Sequence, residues 1–338
     1  MPGRKRIGTA VTFLLLVSTY SSNAARAEPC GELAHSQHPT RHAGALGGHE
    51  FAQSLTGISD DARESAILQQ ALDGNLPSFL LQTKPVQLTG STTDGGAVKV
   101  TVCVAPDYLA IGSDSDFLYM PMRLRTAIEI ASHYHSLLPT RKIVDAIYNQ
   151  AQIHLAPQPL PAGDMMRTTG YYSSHSELVL EQRLSFATPL GALTAGDKKD
   201  LVLTNRSWSY PGRVAIYGWH VGVGSPIQPL STVHGARYAD YSHGVRLISA
   251  IAYVNDSPRP LLDLLQDARV APVLSDEGVI RSAAELLRVL QSQALISGGP
   301  TDQIEKVTVI RKAKKPRREL RAPFAVNLAH AIDQVLHD

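Results

Sequence analysis

Residues 231–247, Ser-Thr-Val-His-Gly-Ala-Arg-Tyr-Ala-Asp-Tyr-Ser-His-Gly-Val-Arg-Leu, are the densest run of reactive side chains in this sequence. Two His-Gly pairs, His234–Gly235 and His243–Gly244, bracket Arg237, Tyr238, Asp240, Tyr241 and Ser242. Solvated loops are ordinarily built from Ser, Asn, Asp, Gly and Pro, so a loop of His, Tyr and Arg reads as a site.

Three readings of that segment stand side by side. His234, Asp240 and His243 are a nitrogen–oxygen–nitrogen donor set, with His220 or His175 available to join. Two histidines and a carboxylate suit a catalytic Zn²⁺ that keeps a fourth position for water. The spacing is neither the one-turn HExxH arrangement nor the Ser-x-His-x-x-Gly-x-Ala-x-Asp run of D,D-carboxypeptidases. The second reading is nucleophilic hydrolysis by Ser231 or Ser242 with His234 and Asp240. No Gly-x-Ser-x-Gly elbow surrounds either serine, and Ser242 cannot face its own neighbour His243 on a strand. In both cases Arg237 and Arg246 would recognise an anionic part of the substrate. Tyr238, Tyr241, Trp219 and His220 would line its binding surface; Trp219 at a strand end either stacks on a sugar or belongs to the core. The third reading has no chemistry. His-Gly pairs make tight turns, and Arg237, Asp240 and Arg246 would close an ion-pair network under Tyr238 and Tyr241.

Val233-His234-Gly235 followed by Ser242-His243-Gly244-Val245-Arg246-Leu247 resembles the signature of YkuD-type L,D-transpeptidases. Those proteins carry a His-Gly, then Ser-His-Gly-Cys followed by an apolar residue and Arg. Here the cysteine is missing, Gly244 running straight into Val245, and the gap from His234 to Ser242 is shorter. The resemblance implies a small β-rich, wall-associated domain in which Arg246 orients a carboxylate. It does not imply transpeptidation, because the thiolate nucleophile is missing. More broadly, Gly212–His220 and Pro229–Leu247 are similar to a group of uncharacterised secreted bacterial proteins, which implies export and one shared domain.

Export is also read at the start of the chain. Arg4, Lys5 and Arg6, the apolar run Ile7–Val17 and the small-residue pattern Ala25-Arg26-Ala27 form a signal peptide over residues 1–27. The apolar run is too short for a permanent membrane anchor. The mature protein is therefore expected to be secreted or periplasmic. The chain has 32 basic and 30 acidic residues, and four of the basic ones belong to that leader. Seven more sit in Arg311–Arg321, so the remaining body is acidic. A nucleic-acid binder would spread basic charge over a folded face. The expected partner is instead a cell-envelope polymer or a small anionic ligand. The two cysteines, Cys30 and Cys103, are expected to pair in an oxidising compartment.

The elements that must position the site read as an α+β fold: an N-terminal helix and β-meander, a helical middle, and a C-terminal β-rich region with flanking helices. Residues 28–58 form a flexible leader containing His35, His38, His42 and His49. Ser59 caps a helix over Asp60–Leu72. Val86–Leu88 and Val98–Val104 form a hairpin, extended by Tyr108–Gly112 and Phe117–Met120 around a polar turn. Helices follow at Leu124–His135 and Arg141–Gln152, the second capped by Thr140. The Pro-rich stretch to Pro161 separates region 59–160 from region 161–300. A helix over Ser174–Arg183 carries His175, Glu177 and Glu181, a polar cluster near Tyr171 and Tyr172. Asp200–Thr204, Arg213–Trp219 and Val245–Val254 read as strands, so residues 231–247 are a loop at a sheet rim. Helices at Pro260–Ala268 and Glu277–Leu295, a break at 298–301, and a basic tract with a terminal helix in 301–338 complete the chain.

Overall fold

Alternating valines build the central strand pair. Val98, Val100, Val102 and Val104 are all buried, and their strand Ala97–Val104 pairs antiparallel along its whole length with Lys84–Ser91. In the computed structural model, which describes residues 30–33 and 41–296, this hairpin is one side of a five-stranded sheet. Ile248–Val254 lies against Ala97–Val104 and carries Ser257–Pro260 and the short Ser136–Leu137 on its other side. A second sheet has the order Pro226–Ser231, Ile216–His220, Lys199–Leu201, His243–Gly244. Its first three strands are antiparallel and its last pair is parallel.

Helices form where the caps indicate. Ser59 Oγ accepts the Ala62 N–H at the head of Asp60–Leu72, and Thr140 Oγ1 accepts the Ile143 N–H at the head of Arg141–Gln150. With Leu124–His133, Thr169–Leu184 and Ala283–Ile296, these pack beside the sheets, and the fold is α+β. The regions on either side of residue 160 share one sheet. Val102 and Ile248 belong to a single apolar core with Ile67, Ile130, Leu264 and Leu286.

Two expectations change. The stretch taken as a flexible leader to residue 58 contains the helix Gly48–Ser54, whose Phe51 is buried in the core. His49 Nδ1 lies 2.8 Å from Asp116 Oδ1, and Arg41 Nε donates to Asn75 Oδ1 at 2.8 Å. The strands Pro226–Ser231 and Ser257–Pro260 are additional to those read from the sequence, and both contain proline, which a strand interior disfavours. Both lie at sheet edges, where a missing N–H costs no ladder bond.

Cys30 and Cys103 form the expected disulfide, with Cα atoms 5.3 Å apart. Among the described residues, no helix is long and apolar enough to cross a membrane. The signal peptide, His35 and His38, the break at 298–301 and the tract with its terminal helix in 301–338 lie outside the described residues.

Candidate metal centre

Both ends of the reactive loop are pinned by backbone hydrogen bonds. At the first histidine, Val214 N–H donates to the His234 carbonyl at 3.0 Å and Ala236 N–H to that of Gly212 at 2.8 Å. At the second, Lys199 N–H donates to the Ser242 carbonyl at 2.7 Å, and His243–Gly244 runs parallel to Lys199–Asp200. Between them, Tyr238 N–H reaches the Gly235 carbonyl at 2.9 Å and His243 N–H reaches that of Asp240 at 3.1 Å. These two turns fold the chain back on itself, so residues nine apart in sequence meet.

The outcome is a convergence of His234, Asp240 and His243, whose candidate ligand atoms lie within 4.8 Å of one another. His243 Nε2 is 3.9 Å from Asp240 Oδ2, and the two imidazole centroids are 6.0 Å apart. Zinc bonds of about 2.1 Å would draw the donors together by roughly an ångström.

Their protonation states suit ligation. Burial acts to raise the Asp240 carboxyl, but His243, Lys199 and two donors from Ser242 outweigh it and hold the acid below its ordinary range. Those donors are the Ser242 N–H at 2.8 Å and the Ser242 hydroxyl at 2.6 Å, both on Oδ1. Tyr238 donates its phenol hydrogen to Oδ2 at 3.1 Å. Burial, reinforced by His234, Lys199 and Lys198, lowers His243 to about 4 against the pull of Asp240. At neutral pH the pair is therefore a carboxylate beside a neutral imidazole, the forms that bind metal.

His243 is 1 % exposed, and neither of its ring nitrogens has a hydrogen-bond partner. A buried imidazole without partners is rare, and a metal would satisfy one of the two nitrogens. His234 is half-buried and stacks on Tyr238 with ring centroids 4.1 Å apart, forming the solvent-side wall.

The other expected site residues are engaged elsewhere. Arg237 does not reach Asp240; it pairs with both Asp61 oxygens, at 2.7 and 2.8 Å. Arg246 is fully buried, donating to the Ala105 carbonyl at 2.9 Å and that of Thr194 at 2.8 Å, with its guanidinium 4.2 Å from the Tyr108 ring centre. Neither arginine is placed to receive a substrate, and the proposed Arg237–Asp240–Arg246 ion network does not form. Trp219 is 1 % exposed, so it is no sugar platform. His220 stacks on Tyr148 and lies 3.0 Å from Asp145 Oδ1. His175 faces Lys198 Nζ at 2.8 Å and does not join the donor set. Tyr241 exchanges hydrogen bonds with both backbone groups of Leu160 through its hydroxyl. The Ser242 hydroxyl is spent on Asp240 rather than directed to an imidazole, which removes the relay through Ser242, while Ser231 ends the edge strand with its hydroxyl accepting the Val233 N–H at 3.4 Å.

The strand expected at Asp200–Thr204 is present as Lys199–Leu201, but sequence reasoning missed the buried charged residues that open it and face the site. Asp197, Lys198, Lys199 and Asp200 are all buried. Lys198 Nζ donates to the Tyr241 carbonyl at 2.8 Å, while Lys199 is the register partner of His243. The available signal was a charged tetrapeptide that runs into the apolar Leu201-Val202-Leu203 without an intervening turn residue. No protein-family model, curated protein or solved structure matches this chain.

Proposed function

We propose that the protein is an exported cell-envelope hydrolase in which His234, Asp240 and His243 hold a divalent metal ion, zinc by donor type, and which acts on a cell-wall or other anionic polymer. One observation carries this reading: three ligand atoms converge within 4.8 Å around a buried imidazole that has no hydrogen-bond partner. The disulfide and the leader at the start of the sequence agree with export.

Zinc bound by two histidines and a carboxylate supplies an electrophile and a water acidified to a pKa of about 7. The chain's own residues prepare that position. Ser242 and Tyr238 fix the carboxylate of Asp240, so it cannot rotate away from the imidazoles. His243 stays neutral through burial. The half-buried ring of His234, next to the exposed Val233, forms the side from which substrate would approach.

The same loop supports a second reading, a non-catalytic envelope or ligand-binding protein. Asp240 is already served by three donors of its own loop, as a structural turn would be. Metal analysis of untagged protein, followed by zinc titration calorimetry, separates the two. The proposal expects about one equivalent of zinc in the wild type and none in the His234→Ala/His243→Ala variant. It also expects loaded wild type to cleave peptidoglycan fragments detected by mass spectrometry. Less than about a tenth of an equivalent, together with a large fall in the variant's melting temperature, would establish the structural loop instead.

A further inference from the structure

Arg237 and Arg246 point elsewhere, but a cation outside the loop, Lys199, acts electrostatically on both Asp240 and His243. Lys199 is in register with His243 on the neighbouring parallel strand, and registered partners in a sheet project to the same face. Its backbone N–H is tied to Ser242, so its position is locked to the loop that carries two of the three donors. The residue is 5 % exposed, a burial that lysine almost never reaches without a partner charge or ring. Its Nζ lies 4.8 Å from the centre of the Trp219 ring.

The Trp219 contact depends on an irregular strand. Gly218 and Trp219 both have positive φ, 118° and 57°, and for a bulky residue that conformation is strained. Gly218 is the register partner of Lys199, so regular alternation would send Trp219 to the opposite face. The two left-handed residues break the alternation and set the indole against the ammonium group. The irregular strand thus holds the Lys199 ammonium against the indole, on the strand in register with His243.

Charge then defines what the centre would attract. Asp240 is the only carboxylate among the three ligands, and both imidazoles bind metal in their neutral form. A divalent ion there leaves a net positive charge, and Lys199 adds to it in a poorly solvated setting, where such charges act strongly. We infer that Lys199 is the substrate-binding residue of this centre, holding an anionic oxygen, carboxylate or phosphoryl, of a substrate that a bound metal would polarise. The inference rests on the metal-centre reading and names the substrate class that reading leaves open.

Cobalt(II), a spectroscopic substitute for zinc, makes the inference testable without a known reaction. Cobalt-loaded wild type, Lys199→Met and Lys199→Arg are titrated separately with acetate and with inorganic phosphate, following the visible absorption bands. Expected are cobalt affinities within threefold of one another, anion affinity at least tenfold weaker in Lys199→Met, and recovery to within about threefold in Lys199→Arg. The anion that loses more in Lys199→Met identifies the carboxylate or the phosphoryl class. Wild type is also titrated with acetamide, which shares the shape of acetate without its charge and is expected to leave the bands unchanged. Should Lys199→Met fail to fold, Lys199→Gln, which keeps a long polar side chain without its charge, takes its place and is expected to weaken anion affinity to the same extent. Equal anion affinity in Lys199→Met and wild type, loss of cobalt from Lys199→Met alone, or a response to acetamide equal to that to acetate would overturn the role of Lys199 while leaving the metal centre standing. Failure of wild type to take up cobalt overturns both.

Discussion

Tyr238 donates its phenol hydrogen to Asp240 Oδ2 at 3.1 Å while its ring lies parallel to that of His234, with centroids 4.1 Å apart. One side chain thus orients two of the three candidate ligands. Partners of this kind typically affect metal affinity by 10–100-fold. Tyr238→Phe keeps the stacking surface and removes only the hydroxyl, so zinc affinity measured by calorimetry should fall about tenfold. The melting temperature of the metal-free protein should change little. An affinity equal to wild type would mean that Asp240 needs no help from Tyr238.

The parts of the molecule readable from sequence are those specified locally. Ser59 and Thr140 cap their helices through hydroxyls three residues from the amides they accept, and the valine alternation of residues 98–104 needs only its own strand. The convergence of His234, Asp240 and His243 was legible for the same reason, since one short loop holds all three. What stayed hidden was set by distant partners. Arg237 finds Asp61 across 176 positions, and Arg246 finds Ala105 across 141. A run such as Asp197–Asp200 normally stays in water. Its burial depends on His175 and the Tyr241 carbonyl, which no window around it contains. The hairpin turn at Asn255–Asp256, where both residues take positive φ, is signalled in the sequence only by the Asn-Asp pair, two residue types that tolerate that conformation.

Asp197 gives the fold a pH dependence of definite sign. It is fully buried, and neither carboxylate oxygen has a hydrogen-bond partner. Burial, with the nearby Asp107 charge, raises its pKa to about 7. A carboxyl raised on folding contributes stability below its ordinary value of 3.8, and loses it as pH rises through 7. Lys198, lowered by burial to about 8, acts above that point. His243, lowered to about 4, and His175, lowered well below 6.5, oppose the trend as their unfolded imidazoles charge, which is half complete at 6.5. Between pH 7.5 and 6.5 Asp197 takes up about half a proton that the unfolded chain does not, so its own share of the stability increases by about 0.7 kcal/mol across that window. Relative to wild type, Asp197→Asn should lack that increment on acidification in thermal melts, and an equal pH dependence in the two proteins would assign the titration to another group.

The Cys30–Cys103 bridge spans 73 positions and ties the start of the described chain to the central hairpin strand. Closing a loop of that length stabilises the folded state by about 4 kcal/mol in the chain-entropy account. Cys30→Ser/Cys103→Ser should lower the melting temperature by roughly 10 °C. Zinc stoichiometry should be unaffected, because the bridge lies on the other sheet. A shift of only a degree or two would show that the segment around Cys30 is ordered by its own contacts, among them the Leu33 N–H to Leu81 carbonyl bond.

Arg237 and Arg246 look alike in the sequence and differ in the fold, so they test whether burial or charge governs this loop. Arg237 and Asp61 form an exposed pair, and such pairs contribute at most about 1 kcal/mol. Arg246 serves two backbone carbonyls from inside the protein, and its loss would leave both unpaired in the core. Breaking an arrangement of that kind costs roughly 3–5 kcal/mol. Arg237→Ala should therefore melt within a few degrees of wild type, whereas Arg246→Met should melt about 10 °C lower. Neither should alter anion binding at the cobalt-loaded centre by more than about twofold, a limit set against the tenfold steps that separate affinities by 1.4 kcal/mol. A selective loss of anion affinity in Arg246→Met, with the melting temperature preserved, would return that arginine to the substrate and displace Lys199 from the role assigned to it.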